Sequence, residues 1–351
     1  MGRVQVEEYL MTFRIAILIA VASATWAQVS QPLRPRVGVV DFYGVHKVSM
    51  DRIRKALAVN PGDLLPGSKG DVEARLNEVP GVVGASLQAA CCEDGKAILY
   101  VGIEEKGANH FEYHAEPDGN AALPAEITDA YRKFLSEVTV AARSGVTAED
   151  LTEGHSLMQD ATVREIQKSF IGLAEKFGSE LHEVIRNSPD EEARAIAAYV
   201  IGYTPAKARV VDDLFYAVRD PDDTVRSNAI RALAALAVKA KLDPRSEIKI
   251  PATWFIEMLN SLIWTDRNYA ATALTTLTEQ RDQKMLGQLR ERAFASLVEM
   301  SKWQHAEHAI PGYILLGRVA GIPESELQDA WKDGKRDLIV ERAIAAFKKK
   351  K

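Results

Sequence analysis

The chain has 351 residues, of which 47% are hydrophobic and 26% are charged, and its formal net charge is −5. This length suggests two or three domains, and the composition is that of a folded globular protein rather than a disordered one. The acidic balance leaves no basic domain or stripe, which argues against a nucleic-acid partner.

The first 27 residues predict a secretory signal peptide. Arg14 precedes the apolar run Ile15–Ala22, and small residues follow up to Ala27. A positive flank, a short apolar core and a small-residue exit are typical of such a peptide, and the run is shorter than the ~20 residues of a membrane span. A retained anchor is the alternative, and either Met1 or Met11 fits as the start. We therefore expect a periplasmic or secreted protein with no integral membrane span after cleavage.

After a linker over residues 28–36, residues 37–105 predict a small α+β domain. The three segments rich in β-formers are Val37–Tyr43, Val82–Cys92 and Lys96–Glu105. The last two are joined by Glu93-Asp94-Gly95, which is a hairpin signal. Two short amphipathic stretches that follow the N-cap residues Ser49 and Ser68 predict helices. The predicted order is therefore β-α-α-β-β.

Several motifs in this segment occur in the order and spacing of a known domain. They are Phe42–Val48 at the end of the first strand, Pro61-Gly62-Asp63 after the first helix, Gly81-Val82-Val83 before the hairpin, and Val101–Glu105 at its end. With them, residues 37–105 resemble the POTRA domains of outer-membrane barrel-assembly proteins, two-partner secretion transporters and some cell-division proteins. The resemblance implies polypeptide binding, partly by addition of a strand to the sheet. No strand-rich barrel follows here, unlike in the transporters, and an unrelated small α+β sandwich is the alternative.

The same resemblance places Val82–Cys92 at the sheet edge and Lys96–Glu105 inside it. An edge strand presents unpaired N–H and C=O groups, and natural edges are usually protected by charge, proline or a covering segment. The uncharged residues of this edge are Ala85, Ser86, Leu87, Gln88, Ala89 and Ala90. Such an edge is either covered by the following linker or open to a partner. We predict a protein-binding site here, and we expect proline at Gln88 to interfere with it.

The rest of the chain predicts helices only. Residues 106–122 contain glycine, proline and asparagine and predict a linker, and residues 123–162 predict a helical lead-in. Residues 163–347 contain a repeat, because Pro189–Ile201 and Pro221–Leu233 align residue by residue with an offset of 32. This alignment pairs Arg194 with Arg226 and Ala197 with Ala229.

A Pro-Asp turn followed by an arginine and by small and apolar residues at helical spacing resembles the HEAT-repeat family. A single helical hairpin cannot bury its apolar face, whereas stacked hairpins bury a continuous core. Thr265-Asp266-Arg267 predicts a third copy, and residues 285–320 predict a fourth that is broken at Pro311-Gly312. The predicted fold is thus a POTRA-like α+β domain followed by an all-α, HEAT-like solenoid. A helical bundle without repeats is the alternative.

No pattern predicts a catalytic, cofactor-binding or metal site. The stretch Gly62–Lys69 has the serine and lysine of a phosphate loop in the wrong order. Cys91 and Cys92 are adjacent, so an ordinary disulfide between them is disfavoured, and together with His110 and His114 they form a poor zinc quartet. His305 and His308 lack an evident third ligand, and we expect them at the surface or at a helix cap.

The function that we predict is an exported cell-envelope scaffold or adaptor without a cofactor. It binds protein partners through the POTRA-like sheet edge, the solenoid groove or both. One alternative is a HEAT-like lyase or other enzyme with an unrecognised site. The other is a purely structural envelope protein. The sequence leaves the partner, the oligomeric state and the redox state of the two cysteines open.

Overall fold

The computed structural model describes residues 34–348, except for the side chains of residues 91–93. The described residues from Pro35 onward form one compact unit. The predicted signal peptide and most of the first linker lie outside the described residues. The side chains of Cys91 and Cys92 do so too, and their redox state therefore stays open. Among the residues described, no helix is long and apolar enough to cross a membrane.

Fifteen α-helices, one short 3-10 helix and five strands make up the described part of the chain. The strands are β1 (Val37–Tyr43), β2 (Val82–Glu93), β3 (Lys96–Glu105), β4 (Glu149–Asp150) and β5 (Leu157–Met158). The first eight helices are α1 (Met50–Leu57), α2 (Lys69–Asn77), α3 (Ala125–Arg143), α4 (Ala161–Lys176), α5 (Gly178–Asn187), α6 (Glu191–Ile201), α7 (Val211–Ala217) and α8 (Asp223–Leu242). The others are α9 (Thr253–Met258), α10 (Trp264–Leu277), α11 (Gln283–Arg292), α12 (Phe294–Ser301), α13 (Ala306–Val319), α14 (Glu324–Lys332) and α15 (Arg336–Lys348). The 3-10 helix spans Lys207–Val210.

The N-terminal sheet has the strand order β1-β3-β2, with β1 parallel and β2 antiparallel to β3. The predicted order β-α-α-β-β is confirmed, and β2 lies at the edge with β3 in the centre. Helices α1 and α2 cover one face, where Ile53, Leu76 and Val101 belong to one buried apolar cluster. The POTRA resemblance itself stays a prediction.

Glu105, the last residue of β3, fixes the loop between β1 and α1. Its carboxylate accepts hydrogen bonds from the amides of His46, Lys47 and Val48 at 2.8–2.9 Å. Burial opposes ionisation of this side chain, but the three amides together outweigh it, so the pKa of Glu105 is lowered. The loop is therefore held by a charged group whose lone pairs are satisfied by the backbone.

The second face of the sheet packs against the helical region, a contact that no pattern in the sequence predicted. Tyr43 donates a hydrogen bond to the carbonyl of Leu262 at 2.7 Å. Tyr100 stacks on Trp264 with ring centroids 4.4 Å apart, and Trp303 lies 5.2 Å from the same ring. Because both faces of the sheet are covered, β3 is buried almost along its whole length.

The helical region consists of stacked helix pairs, as predicted. Helices α6, α8, α10 and α13 pack side by side, and each packs against a preceding helix: α5, α7, α9 and α12. The predicted register is confirmed, because Arg194 and Arg226 are both the fourth residue of their helices and both buried. Ala197 and Ala229 are equivalent in the same way, and both are fully buried.

The arginine at the fourth position of the second helix makes the same two contacts in three successive repeats. It donates to a carbonyl six residues earlier: Arg194 to Ser188, Arg226 to Asp220 and Arg267 to Ser261. It also pairs with an acid of the next repeat: Arg194 with Asp220, Arg226 with Asp266 and Arg267 with Glu299. The third pair establishes the predicted third copy at Thr265-Asp266-Arg267.

Two sequence predictions in this region are wrong. Helix α13 continues through Pro311 and Gly312, where a break was expected. Gly312 serves close packing instead, since a Cβ there would lie 2.6 Å from that of Met300. The helical lead-in is not wholly helical either, because β4 and β5 form a small antiparallel hairpin. The strands are only two residues long, too short for a strand pattern to stand out.

The segment over residues 106–122 is a connection without regular structure, but it is packed against the repeats. Tyr113 contacts Ser261 at 3.2 Å, the amide of His114 donates to the carbonyl of Arg219 at 2.8 Å, and Gly119 lies against Asn187. Ser261 lies between α9 and α10, Arg219 lies between α7 and α8, and Asn187 ends α5 just before α6. The three contacts are thus at the turns of three successive helix pairs. The segment therefore follows the ends of the repeats rather than spanning open space.

Candidate polypeptide-binding site

The six residues predicted to bind a partner all lie on β2, but their side chains do not share one environment. Ser86 and Leu87 are buried, and Leu87 belongs to the core beneath α1 and α2. Gln88 exchanges hydrogen bonds with Thr265 of α10, at 3.2 and 3.4 Å. Among the six, only the Ala89 side chain is exposed. The accessible feature of this strand is therefore its backbone.

The backbone groups of β2 alternate in direction. The amide of Leu87 donates to the carboxylate of Glu73 at 2.7 Å, so it points away from β3. In an antiparallel pair, residues alternate between those that bond to the partner strand and those that face outward. Ala85 and Ala89 are two residues away on either side, so their N–H and C=O groups also face outward. Gln88, opposite Tyr100, bonds to β3 instead.

Glu73 closes part of this edge. It projects from α2, its side chain is about one-fifth exposed, and Lys69 lies 3.7 Å from the same carboxylate. A carboxylate that accepts a backbone N–H blunts an edge strand, because it occupies the donor that another strand would use. In the described part of the chain, no backbone segment pairs with the outer edge of β2.

The opposite edge of the sheet is covered more fully. The amide of Val37 donates to the carbonyl of Asp63, and the carbonyl of Val37 accepts from Gly62. Further along β1, the side chain of Gln304 donates to the carbonyl of Val40 at 3.2 Å. Since backbone and solenoid both occupy β1, the edge of the sheet that is open to an added strand is β2.

Histidine and tryptophan side chains make the interface between the sheet and the solenoid. The Tyr100 hydroxyl lies 2.6 Å from Nδ1 of His308. Burial, and then the neighbouring His305, lower the pKa of His308 to about 4, so this ring is neutral near pH 7 and shares one hydrogen bond with the hydroxyl. His308 is therefore half-buried in the interface rather than at the surface, where it was expected. His305 is the residue before α13, but its side chain makes no capping hydrogen bond.

A pocket of about 180 Å³ lies on the surface of α6, α8 and α10, beside the β4–β5 hairpin. Its apolar wall is formed by Tyr199, Tyr203, Ala232 and Tyr269. Gln167 bonds to the hydroxyls of both Tyr199 and Tyr203, at 3.1 Å each, and these rings are therefore fixed. The pocket is a concave apolar site on the helical repeats.

Sequence reasoning missed the most informative residues of these sites. Glu73 was only one more acidic residue on a short amphipathic helix, and its bond to Leu87 depends on how α2 crosses the sheet. Tyr199 lies in the last turn of α6, and Tyr203 follows two residues after the end of that helix. The helix ends between them, so their spacing was not a helical signal for the pocket. No local pattern pointed to Thr265 or His308 as contacts of the sheet.

One comparison with known proteins supports the helical region. The family model described as HEAT repeats matches residues 178–246, which include α5 to α8. One similar solved structure is a designed armadillo repeat protein in complex with the peptide (KR)4, at 14% identity and a TM-score of 0.35, covering 56% of this chain and 97% of that chain. Another is a designed armadillo repeat protein at 14% identity and a TM-score of 0.33, covering 56% and 98%. No curated protein matches the chain.

The fold and the family match together define the class. This is a helical-repeat protein with a small N-terminal sheet, and its central repeats are similar to those of the HEAT family.

Proposed function

We propose that this chain is an exported, POTRA-like scaffold of the cell envelope that binds polypeptide partners by strand addition at β2. The observation that carries the proposal is the outer edge of β2, where Ala85 and Ala89 present backbone groups outward and Glu73 caps only the amide between them. Helical repeats offer a rigid support for such an edge, because α10 holds β2 through Thr265 and Gln88. We propose a binding protein rather than an enzyme.

Strand addition requires a change at one side chain. An incoming strand would bond to Ala85 and Ala89 and would displace the Glu73 carboxylate from the Leu87 amide. The displaced carboxylate can still form an ion pair with Lys69, whose Nζ lies 3.7 Å away. The Glu73 carboxylate thus protects the edge from non-specific strand pairing, and its displacement does not disturb the buried core.

A photocrosslinking residue at Ala89 of the full chain, expressed in its native cells, tests this proposal. We expect a crosslinked polypeptide from position 89 and none from Ala345, an exposed residue of α15 that serves as the matched control position. Failure to crosslink at position 89, or the same product from both positions, would contradict strand addition.

Proline substitutions sharpen the same test. Ala89→Pro removes an outward N–H and should abolish partner recovery while the protein stays folded, because proline is tolerated where a strand's N–H faces outward. Gln88→Pro is the matched control. Its N–H bonds to β3, so proline at this position removes a hydrogen bond inside the sheet. We expect Gln88→Pro to destabilise the sheet itself.

The pocket on α6, α8 and α10 supports a second binding surface, the solenoid groove. Its tyrosine rings and its volume of about 180 Å³ suit one apolar side chain of a bound polypeptide. Tyr269→Ala should weaken partner recovery if the groove is used, and it should leave crosslinking at position 89 unchanged if only the edge is used.

The export part of the proposal has its own test. N-terminal sequencing of protein from the periplasm or the medium should find a chain that begins near Gln28. An uncleaved chain in the membrane fraction would indicate a retained anchor instead.

A further inference from the structure

Helix α10 connects the two proposed binding surfaces. Its residue Thr265 bonds to Gln88 of β2, and its residues Tyr269 and Thr272 line the pocket on α6, α8 and α10. Residues four and seven positions apart lie on one face of a helix, so these three side chains share a face. At 1.5 Å per residue, the pocket rim at Thr272 is about 10 Å along the helix from the contact with β2.

Strand β2 runs toward this face. Gly84 lies against Leu262 in the turn before α10, since a Cβ there would be 3.1 Å from the Leu262 side chain, and Gln88 reaches Thr265 inside the helix. From Gly84 to Gln88 the strand therefore passes from the turn to the first turn of α10. A polypeptide bonded to Ala89 ends its paired segment beside the start of the accessible face of α10.

The accessible face of α10 carries no charged side chain. All fourteen residues of this helix are described, and its two charged residues, Asp266 and Arg267, are buried and paired with groups of neighbouring helices. Helix α3, by contrast, exposes Arg132 and Lys133. Since a helix face that stays in water is ordinarily charged or strongly polar, the face of α10 is suited to contact with an uncharged segment.

Threonine is frequent in α10 although it is a poor helix former. The helix contains four threonines, and β-branched side chains lower helix propensity. The hydroxyls of Thr272 and Thr275 donate to the carbonyls of Asn268 and Thr272 in the same helix, at 2.9 and 2.7 Å. Burial of this face under a polypeptide therefore leaves these two donors satisfied.

The pocket at the end of this face presents no net charge. Its two charged groups, Arg231 and Glu149, pair with each other. Burial and then Lys207 lower the pKa of His155, which also lines the pocket, to about 4, so its ring is neutral near pH 7. The pocket therefore favours an uncharged, apolar side chain.

We infer that one polypeptide segment occupies the β2 edge and the pocket together, an inference that rests on the proposed strand addition. One part of the segment is an extended strand bonded to Ala85 and Ala89. The next part is uncharged, crosses the face of α10, and places one apolar side chain against Tyr199 and Tyr269. An extended chain spans about 3.3 Å per residue, so this apolar residue lies about three to six residues from the paired part.

Photocrosslinking from two positions of the full chain, in native cells, tests whether the site is continuous. One variant carries the photocrosslinking residue at Ala89 and another at Asn268, which lies between Thr265 and the pocket on α10. Both should crosslink the same polypeptide, and mass spectrometry should place the two attachment points within about six residues of each other. Thr139, an exposed threonine of α3, is the control position and should give no product.

A synthetic peptide with the sequence of the crosslinked segment then measures the contribution of the pocket. Replacement of its apolar residue by alanine, or Tyr269→Ala in the protein, should each weaken binding about tenfold, because either change removes the buried apolar contact. Combined, the two changes should weaken binding little more than one alone, by at most about a further twofold. Tyr269→Phe keeps the ring and should bind like the unaltered protein, with thermal melting as the check that each variant folds.

Two charge substitutions test the chemistry of the segment. Thr272→Glu and Thr272→Lys each place a charge on the uncharged face, and both should weaken peptide binding severalfold, because either charge loses hydration without gaining a partner. Tighter binding by one of them would mean that the segment carries the opposite charge and would overturn its assignment as uncharged.

The crosslinks separate failure of this inference from failure of strand addition. No product from Ala89 would overturn strand addition and the shared site with it. A product from Ala89 alone, different polypeptides from Ala89 and Asn268, or attachment points more than about ten residues apart would overturn the shared site and leave strand addition standing. Independent, multiplicative losses from Tyr269→Ala and the peptide substitution would remove the pocket from the shared site.

Discussion

The helical repeats and the N-terminal sheet are stabilised by different kinds of polar contact. In the repeats, one arrangement recurs, with a buried arginine bonded to its own turn and to an acid of the next repeat. The sheet is held by contacts that occur once, such as Glu105 with the loop before α1 and Tyr43 with Leu262. The repeats thus use the same contact three times, whereas the sheet depends on individual side chains.

This difference indicates which substitutions should destabilise each region most. Removal of one partner from a buried ion pair leaves an uncompensated charge, and this costs more than the pair contributes when it is intact. The repeats should therefore respond most strongly to substitutions of their arginines. Substitutions in the sheet should lower the free energy of unfolding less, and part of their effect should depend on pH because Glu105 titrates.

The largest effect is expected from Arg194→Met. Arg194 and Asp220 are both fully buried, and two nitrogens of the arginine bond to the carboxylate at 2.8 and 3.0 Å. The substitution leaves Asp220 buried without its cation, and we expect the free energy of unfolding to fall by about 3–5 kcal/mol. Chemical denaturation measures this loss. The matched control is Lys176→Met, which breaks the exposed pair with Glu126 and should cost about 0–1 kcal/mol. Equal losses would contradict the role given to the buried series.

A packing substitution tests the repeat register independently of charge. Ala229 is fully buried in α8 at the position equivalent to Ala197 of α6. Ala229→Phe should overpack this contact and lower the free energy of unfolding by about 1–3 kcal/mol. Ala345→Phe, at an exposed position of α15, is the control and should change it little. A stable Ala229→Phe protein would mean that the helices do not approach closely there.

In the sheet, Glu105→Gln should lower the free energy of unfolding at pH 7 by about 1–2 kcal/mol, because a neutral amide replaces a charged acceptor of three amides. The pKa of Glu105 is lowered in the folded state, so its contribution is present above the ordinary value of 4.5 and is lost as pH falls through the folded pKa. Denaturation from pH 7 to pH 3 should show a smaller pH dependence below 4.5 in the variant. If the free energy of unfolding depended on pH equally in both proteins below pH 4.5, Glu105 would not be a source of that dependence.

How much the sequence could predict follows from the same comparison. Arg194 and Arg226 were found because their spacing is periodic, and the hairpin of β2 and β3 was found because its turn is local. Contacts between residues far apart in the chain left no such signal: Tyr100 meets Trp264 only after the sheet packs on the repeats, and Lys207 meets His155 only through the β4–β5 hairpin. The helix break expected at Pro311 failed for a related reason, because packing of Gly312 on Met300 favours a continuous helix.

The central claim is that the outer edge of β2 is open except at Leu87, and hydrogen exchange of the free protein tests it directly. Measured by NMR, the amides of Ser86, Gln88 and Ala90 should be protected, because they bond to β3. Those of Ala85 and Ala89 should exchange at least about tenfold faster, since they face outward, and Leu87 should lie between the two groups because Glu73 caps it. Glu73→Ala should bring Leu87 to the rate of its outward neighbours. Protection of Ala85 and Ala89 as strong as that of Gln88 would mean that another segment covers this edge, and strand addition at β2 would then be contradicted.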